Sequence, residues 1–326
     1  MLLAGDIGGT KTHLALLEAR LPLAIVAEKK YPSRDYAGLE QIVSQFLKEY
    51  PGSVRGSCFG IAGPIREGRC HATNLPWKVD SSVLSKQLRG APAHLINDLE
   101  ANAYGLSCLA PDEMRTLQVG RASRANRALI AAGTGLGEAG LFWDGEHYHP
   151  FACEGGHCDF GPRSELELDL WRYLAQKFSH VSYERVLSGP GVLNLYQFLV
   201  EKVGERAAAE TIKRIEKEDP AKVITEMARK GCQASLRTMR WFSSIYGAES
   251  SNLALKTLAL GGLFLGGGIA PKILDFLEGP EFMQSFLDKG RFRALLEEVP
   301  IRVVLNEKTA LLGSAFYALE RLGGRL

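Results

Sequence analysis

Residues 2–17 read LLAGDIGGTKTHLALL, and residues 129–143 read LIAAGTGLGEAGLFW. Each is an apolar stretch, a glycine-rich turn and a second apolar stretch, and Ala4-Gly5 in the first is echoed by Ala132-Gly133 in the second. A polar residue stands just inside each turn: Asp6 with Thr10 in one, Thr134 in the other. Glycine admits positive φ and lets backbone N–H groups approach a ligand, so such a turn can cradle a phosphate. One copy is weak evidence. Two copies a domain apart imply two related lobes gripping one polyphosphate.

The chain of 326 residues is too long for one ordinary core, and two domains are the natural expectation. A hydrophobic share of 46% suits a packed globular protein. The 39 basic and 37 acidic residues leave a net charge of only +2, which argues against a nucleic-acid or membrane-surface binder. The N-terminus, MLLAGDIGG, lacks a basic region and meets Asp6 too early for a signal peptide. The apolar run 257–270 is glycine-rich and too short to span a bilayer. Cys58, Cys70, Cys108, Cys153, Cys158 and Cys232 form no regular framework, so they read as reduced thiols of a cytoplasmic protein.

Outward from the first hairpin, strand and helix signals alternate. Leu39, Ile42, Val43, Phe46 and Leu47 share a helical face, 58–62 reads as a buried strand, and Asp80 can cap a helix running to Leu88. A short strand at 94–97 ends on Asn97-Asp98, and a helix follows from Leu99. This is an α/β domain with a mixed sheet. After the second hairpin the pattern turns helical: Ser164 and Glu167 make a capping box, and long helices are expected over 191–204, 220–230 and 233–257. A strand at 301–305 and an amphipathic helix from about 309 close the chain. That last helix is expected to cross back onto the first domain, giving a small domain of 1–108 plus about 307–326 and a larger one of 109–306.

Several motifs admit more than one reading. Residues 135–140, GLGEAG, match a dinucleotide fingerprint with Glu154 downstream, which would make the chain a nicotinamide-dependent oxidoreductase. That fingerprint must open a helix, however, and LFWDGEHYHPF is β-like. The first loop approximates a P-loop through Gly5 and Lys11-Thr12, but Thr10 stands where the last glycine belongs. Asn97-Asp98 ends a strand, where α/β sheets place ligand-binding groups. Asp98 then either caps the next helix or accepts a proton from a substrate hydroxyl, with Asn97 on a neighbouring hydroxyl. His147, His149, Cys153, His157 and Cys158 could suggest zinc, although their spacing fits no compact pattern. Glu154 and His157, around Gly155-Gly156, are better read as polar contacts to a polyol. Gly266-Gly267-Gly268 before Pro271 is a backbone surface on which a flat base could lie, or a plain strand-to-helix turn.

In order along the chain stand GDIGGTKTHLAL (5–16), FGIAGPI (59–65), TNLPW (73–77), LINDLEANAYG (95–105), AAGTGLGEAGL (131–141), EGGHCDFGP (154–162), ERVLSGPGVLNLY (184–196), GGLFLGGGIAP (261–271), DKGRF (288–292) and LLGSAFYAL (311–319). Over nearly its whole length the chain thereby resembles the bacterial glucokinases of the hexokinase–actin–Hsp70 superfamily. The resemblance implies a two-domain actin-like ATPase (ribonuclease H-like) fold, α/β and α+β, with a cleft between the domains that closes over sugar and ATP, and a homodimer. It implies Asp98 as general base and Asn74, Asn97, Glu154, His157 and Glu184 around the glucose. It assigns Asp6, Gly8, Gly9, Thr10 and Lys11 to one phosphate loop, Gly133, Thr134 and Gly135 to the other, and Gly266, Gly267 and Gly268 to the adenosine. Asp6 would orient Mg²⁺ through its water shell.

Three departures accompany it. Lys11 stands where relatives often carry asparagine, Gly63 replaces a cysteine of some relatives, and the zinc-binding cysteine motif of the repressor, open-reading-frame and kinase (ROK) sugar kinases is absent. The expected reaction is phosphoryl transfer from MgATP to the 6-hydroxyl of glucose, which asks chiefly for positioning and charge neutralisation. Fructose, mannose or glucosamine as acceptor, and ADP or polyphosphate as donor, stay open. A sugar-sensing regulator would need a DNA-binding segment, for which the first motif, beginning at residue 4, leaves no room.

Overall fold

The stretch 2–17 forms an antiparallel hairpin, β1 (Leu2–Ile7) against β2 (Lys11–Leu17), in a computed structural model that describes residues 1–323. β1 is apolar along most of its length because both of its faces are covered. Leu3 and Ile7 join a core with Phe46, Phe59 and Trp77, whereas Leu2 and Ala4 join another with Ile96, Leu311 and Ala315. Period-two alternation puts Asp6 on the second of these faces.

The chain continues through β3 (Ile25–Pro32), α1 (Leu39–Glu49), β4 (Gly56–Ile61), the small strands β5 (Ile65–Arg66), β6 (Arg69–His71) and β7 (Lys78–Asp80), α2 (Ser81–Gln87), β8 (Ala93–Asn97) and α3 (Asp98–Gly105). The main sheet has the order β3-β2-β1-β4-β8, with β1, β4 and β8 parallel and the hairpin strands antiparallel. α1 buries Leu39, Ile42, Val43 and Phe46 at helical spacing. Asp80 caps α2, its Oδ1 accepting from Ser82 N at 2.8 Å.

From Met114 a second sheet begins. Its strands are β9 (Met114–Gln118), β10 (Arg127–Ala132), β11 (Leu136–Trp143), β12 (Tyr148–Cys153), β13 (Gly262–Gly266) and β14 (Ile301–Val304), in the order β12-β11-β10-β13-β14-β9. The hairpin β10/β11 is antiparallel, while β10, β13 and β14 run parallel, so the first sheet's arrangement is repeated. Helices α4 (Glu165–Ala175), α5 (Gly189–Phe198), α6 (Ala209–Ile215), α7 (Pro220–Arg229), α8 (Gln233–Thr257), α9 (Leu274–Leu277), α10 (Pro280–Leu287) and α11 (Arg293–Glu297) follow their strands. α8 is buried on most sides, with Phe242, Ile245 and Tyr246 in the core.

The described chain divides into two units. One comprises Met1–Glu113, Pro150–Ala152 and the segment from Asn306; the other comprises Met114–His149 and Cys153–Leu305. The last helix, α12 (Thr309–Arg321), belongs to the first unit and packs on α3, β1 and β4. Glycines let α3 and α12 approach closely: a Cβ at Gly105 would strike Thr309 O, and one at Gly313 would strike Ala101 O. Among the described residues no helix is long and apolar enough to cross a membrane.

Three expectations need correction. The last paired residues of the two hairpins are Ile7↔Thr12 and Ala132↔Leu136, so Ala132 corresponds to Ile7, and the echo of Ala4-Gly5 is out of step. Gly5 lies mid-strand, where a Cβ would fall 2.6 Å from Phe59 Cδ1. The helix expected over 191–204 leaves α-geometry after Phe198 and runs as a π-turn, Leu199–Val203, ended by Gly204 at φ +83°. Only half of the capping box forms. Ser164 Oγ accepts from Glu167 N at 3.3 Å, but the Glu167 carboxylate turns to Arg163, accepting from its backbone N at 2.8 Å and from its guanidinium. As the β-like run after 135–140 leads one to expect, β11 is a strand; β2 is one too, so neither the dinucleotide fingerprint nor the P-loop opens the helix it requires.

Candidate active site

In the first unit, the parallel register aligns Asp6 with Gly60 and Ile7 with Ile61, and Ile61 with Asn97. Asp6, Asn97 and Asp98 thus gather at the carboxyl edge of one sheet. Asn97, not Asp98, is the N-cap of α3: its Oδ1 accepts from Leu99 N at 2.8 Å. Asp98 takes the first helical position, half-buried. Burial first and the charge of Asp98 second push the Asp6 carboxyl up to about 6, against a smaller pull from Lys30. Two neighbouring carboxyl groups at a sheet edge, one of them raised by burial and by the other's charge, form a site that favours a cation or a proton.

Gly8 and Gly9 are not at positive φ, contrary to the conformational reason the sequence suggests. Their role is close approach. A Cβ at Gly9 would lie 2.6 Å from that of Asn74, so Asn74 backs the first turn. Ser33, which no local motif singles out, fixes the turn from behind. It is fully buried, its Oγ donates to Gly8 O at 2.7 Å, and its N donates to Thr10 O at 3.0 Å. Thr10 and Lys11 are exposed at the turn's rim. Gly63 does need its glycine, with φ +141° and a Cβ position 2.8 Å from His71 O.

In the second unit, the turn 133–135 closes with Gly133 N donating to Gly135 O at 2.8 Å, and Gly189 N at the start of α5 donates to Gly133 O at 2.8 Å. Thr134 is exposed at the apex. Glu184 sits half-buried on the short turn Tyr183–Arg185, and its Oε2 accepts from Leu136 N at 3.0 Å. A Cβ at Gly135 would lie 2.5 Å from that oxygen. Gly266 pairs with Ala131, and Gly267, at φ +79°, lies against Ala132 O, so loop 266–268 adjoins the end of β10.

Glu154 precedes and His157 ends the turn Gly155–His157, both exposed, with Gly155 and Gly156 buried on β11. A Cβ at Gly156 would strike Leu136 O, which explains why the backbone lies so close. The zinc reading finds no geometry. His149 Nε2 pairs with Asp144 Oδ2 at 2.6 Å, and among the described residues no group of three or more His, Cys, Asp or Glu could hold a metal.

Comparison with known proteins follows the same outline. The family described as "Glucokinase" matches residues 3–321. The glucokinase of Trichormus variabilis is 42% identical over 340 residues, covering 98% of each chain. Among solved structures, a glucokinase from an Antarctic psychrotroph superposes with a TM-score of 0.86 at 30% identity, covering 98% of each chain. A ROK-family glucokinase from Streptomyces griseus, solved in complex with glucose and AMPPNP, gives a TM-score of 0.67 at 20% identity, covering 98% of this chain and 99% of that one, a likeness of fold. The chain belongs to the glucokinase family.

Proposed function

We propose that the chain carries the γ-phosphoryl group of ATP to the 6-hydroxyl of D-glucose with Asp98 as general base. Family membership over nearly the whole chain makes it an ATP-dependent glucose kinase, and the residue roles are our reading. One observation carries the base assignment: Asp98, the first residue of α3, stands close enough to Asp6 at the sheet's carboxyl edge for its charge to act on that carboxyl. As the phosphoryl arrives, Asp98 takes the hydroxyl proton. Asn97 orients a neighbouring hydroxyl. Glu154, His157 and Glu184 of the second unit are assigned to the remaining hydroxyls, and Asn74 to the rim of the first turn.

The glycine turns supply backbone. The segment Asp6 to Lys11 and the turn 133–135 are assigned to the phosphates, where N–H groups offset charge that grows in the transition state. Loop 266–268 is assigned to the adenosine, its glycines leaving a flat surface. The repeated five-strand order of the two sheets supports a duplicated, actin-like ATPase fold. Mg²⁺ fits this site through Asp6, whose raised carboxyl would be relieved by a cation; Mg²⁺ characteristically takes one or two carboxylates together with water and substrate phosphates. The ion would neutralise charge on the β- and γ-phosphates.

Asp98→Asn removes the base while keeping shape. It is expected to lower kcat by about 10²- to 10⁴-fold with a much smaller change in the KM for glucose. Steady-state kinetics on the purified variant test this, and a near-wild-type kcat would remove Asp98 from the role.

A further inference from the structure

Beneath the turn that carries Glu154 and His157 lie two carboxyl groups that the reaction does not use. Glu138 projects from β11 and is 1% exposed; Glu249 lies mid-way along α8 and is 0% exposed. Each has an Oε1 atom with no hydrogen-bond partner among the described residues. Their other oxygens are committed to the surroundings. Glu138 Oε2 fills the space a Cβ at Gly155 would need. Glu249 Oε2 accepts from Asn252 Nδ2 at 2.8 Å, and the same amide donates to the Tyr183 hydroxyl oxygen at 3.1 Å. Tyr183 adjoins Glu184, whose carboxylate holds Leu136 N, two residues before Glu138. The chain of contacts therefore runs from the turn at 155, through both carboxyl groups, to Tyr183-Glu184 and back to β11.

We propose that Glu138 and Glu249 are a positioning pair that shares one proton, and that this shared proton holds the Glu154–His157 turn and Tyr183-Glu184 where they receive the sugar. Two neighbouring buried carboxylates cannot both ionise without strong repulsion, and a single proton held between them relieves it while giving their unpartnered oxygens something to bind. Burial, followed by the charge of Glu249, holds the Glu138 carboxyl well above the ordinary range, which keeps that proton in place at neutral pH. The groups that face the pair are Tyr246 and Lys256 on α8, Tyr183 on its turn, Cys153 at the end of β12, and Lys289. Lys256 Nζ stands 3.6 Å from Glu249 Oε1, beyond hydrogen-bond reach, on a side chain that is 56% exposed. It therefore offsets only part of a second negative charge.

The inference rests on the assignment of Glu154, His157 and Glu184 to the sugar, and the test separates the two. Glucose KM and kcat are measured on the full chain from about pH 7 to about pH 10 for wild type, Glu138→Gln and Glu249→Gln. Loss of the shared proton should raise the wild-type KM by roughly tenfold across this range while kcat changes much less. In both variants, which leave only one ionisable group in the pair, KM should be flat. A flat wild-type profile, or a rise retained in Glu138→Gln, where the cysteines and lysines are unchanged, overturns the pair. Should either variant fail to fold, the wild-type profile and the other variant decide. In parallel, Glu154→Gln and Glu184→Gln at neutral pH should each raise KM by about tenfold or more. If both leave KM unchanged, the sugar assignment falls and the inference with it. If they raise it while the wild-type profile stays flat, the pair alone is wrong.

Discussion

Asn97 and Asp98 show how much turns on one position. The residue pair at the end of β8 could equally be read as a cap with a neighbour or as a base with a neighbour. Capping by Asn97 Oδ1 separates the two functions and leaves Asp98 beside Asp6. The glycines make a similar point. Gly9 and Gly135 are required by what touches them, Asn74 and Glu184, and not by backbone sign. Gly135→Ala should therefore push the Glu184 carboxylate off Leu136 N. Displacement of a binding group by about 1 Å can cost on the order of 10²-fold in kcat/KM, and here we expect the loss chiefly in the KM for glucose. An unaltered KM in this variant would show that Glu184 does not depend on the turn.

At the scale of elements, α12 holds the strands that carry the site. Ser314 Oγ donates to Gly5 O at 3.0 Å and accepts from Gly60 N at 3.2 Å, tying β1 to β4 one residue below Asp6. Ser314→Ala removes a partner from both buried backbone groups and should cost about 1–3 kcal/mol. A denaturant midpoint unchanged from wild type would contradict this. The elements themselves were largely legible in the sequence. The apolar periodicity of 39–47 gives α1, Asp80 gives the start of α2, and Asn97-Asp98 gives the junction of β8 with α3. What was not legible depends on side chains meeting across sequence distance. Ser33 behind Gly8, Ser314 between Gly5 and Gly60, and Glu138 against Glu249 carry no local pattern, because each acts on a partner 25 or more residues away. The Glu167 side chain misled for the converse reason, since a buried arginine-facing position outweighed the local capping pattern.

For the whole molecule, two sheets share one order of five strands, and each ends its first hairpin in a glycine-rich turn. The duplication was visible as a repeated pattern of apolar stretches, although residue-by-residue alignment of the two copies failed by three positions at Ala4-Gly5. The first copy carries the acidic edge of Asp6 and Asp98; the second carries Glu184 at its turn. The functional claim joins these chemistries in one reaction. Its most direct test is a matrix of hexoses and phosphoryl donors, scored by product formation with wild type and with Asp98→Asn. Glucose with ATP should give glucose 6-phosphate at the highest kcat/KM, and Asp98→Asn should abolish most of that turnover while glucose still binds. Turnover that survives in Asp98→Asn at the wild-type rate, or a wild type that prefers another hexose or donor, would contradict it.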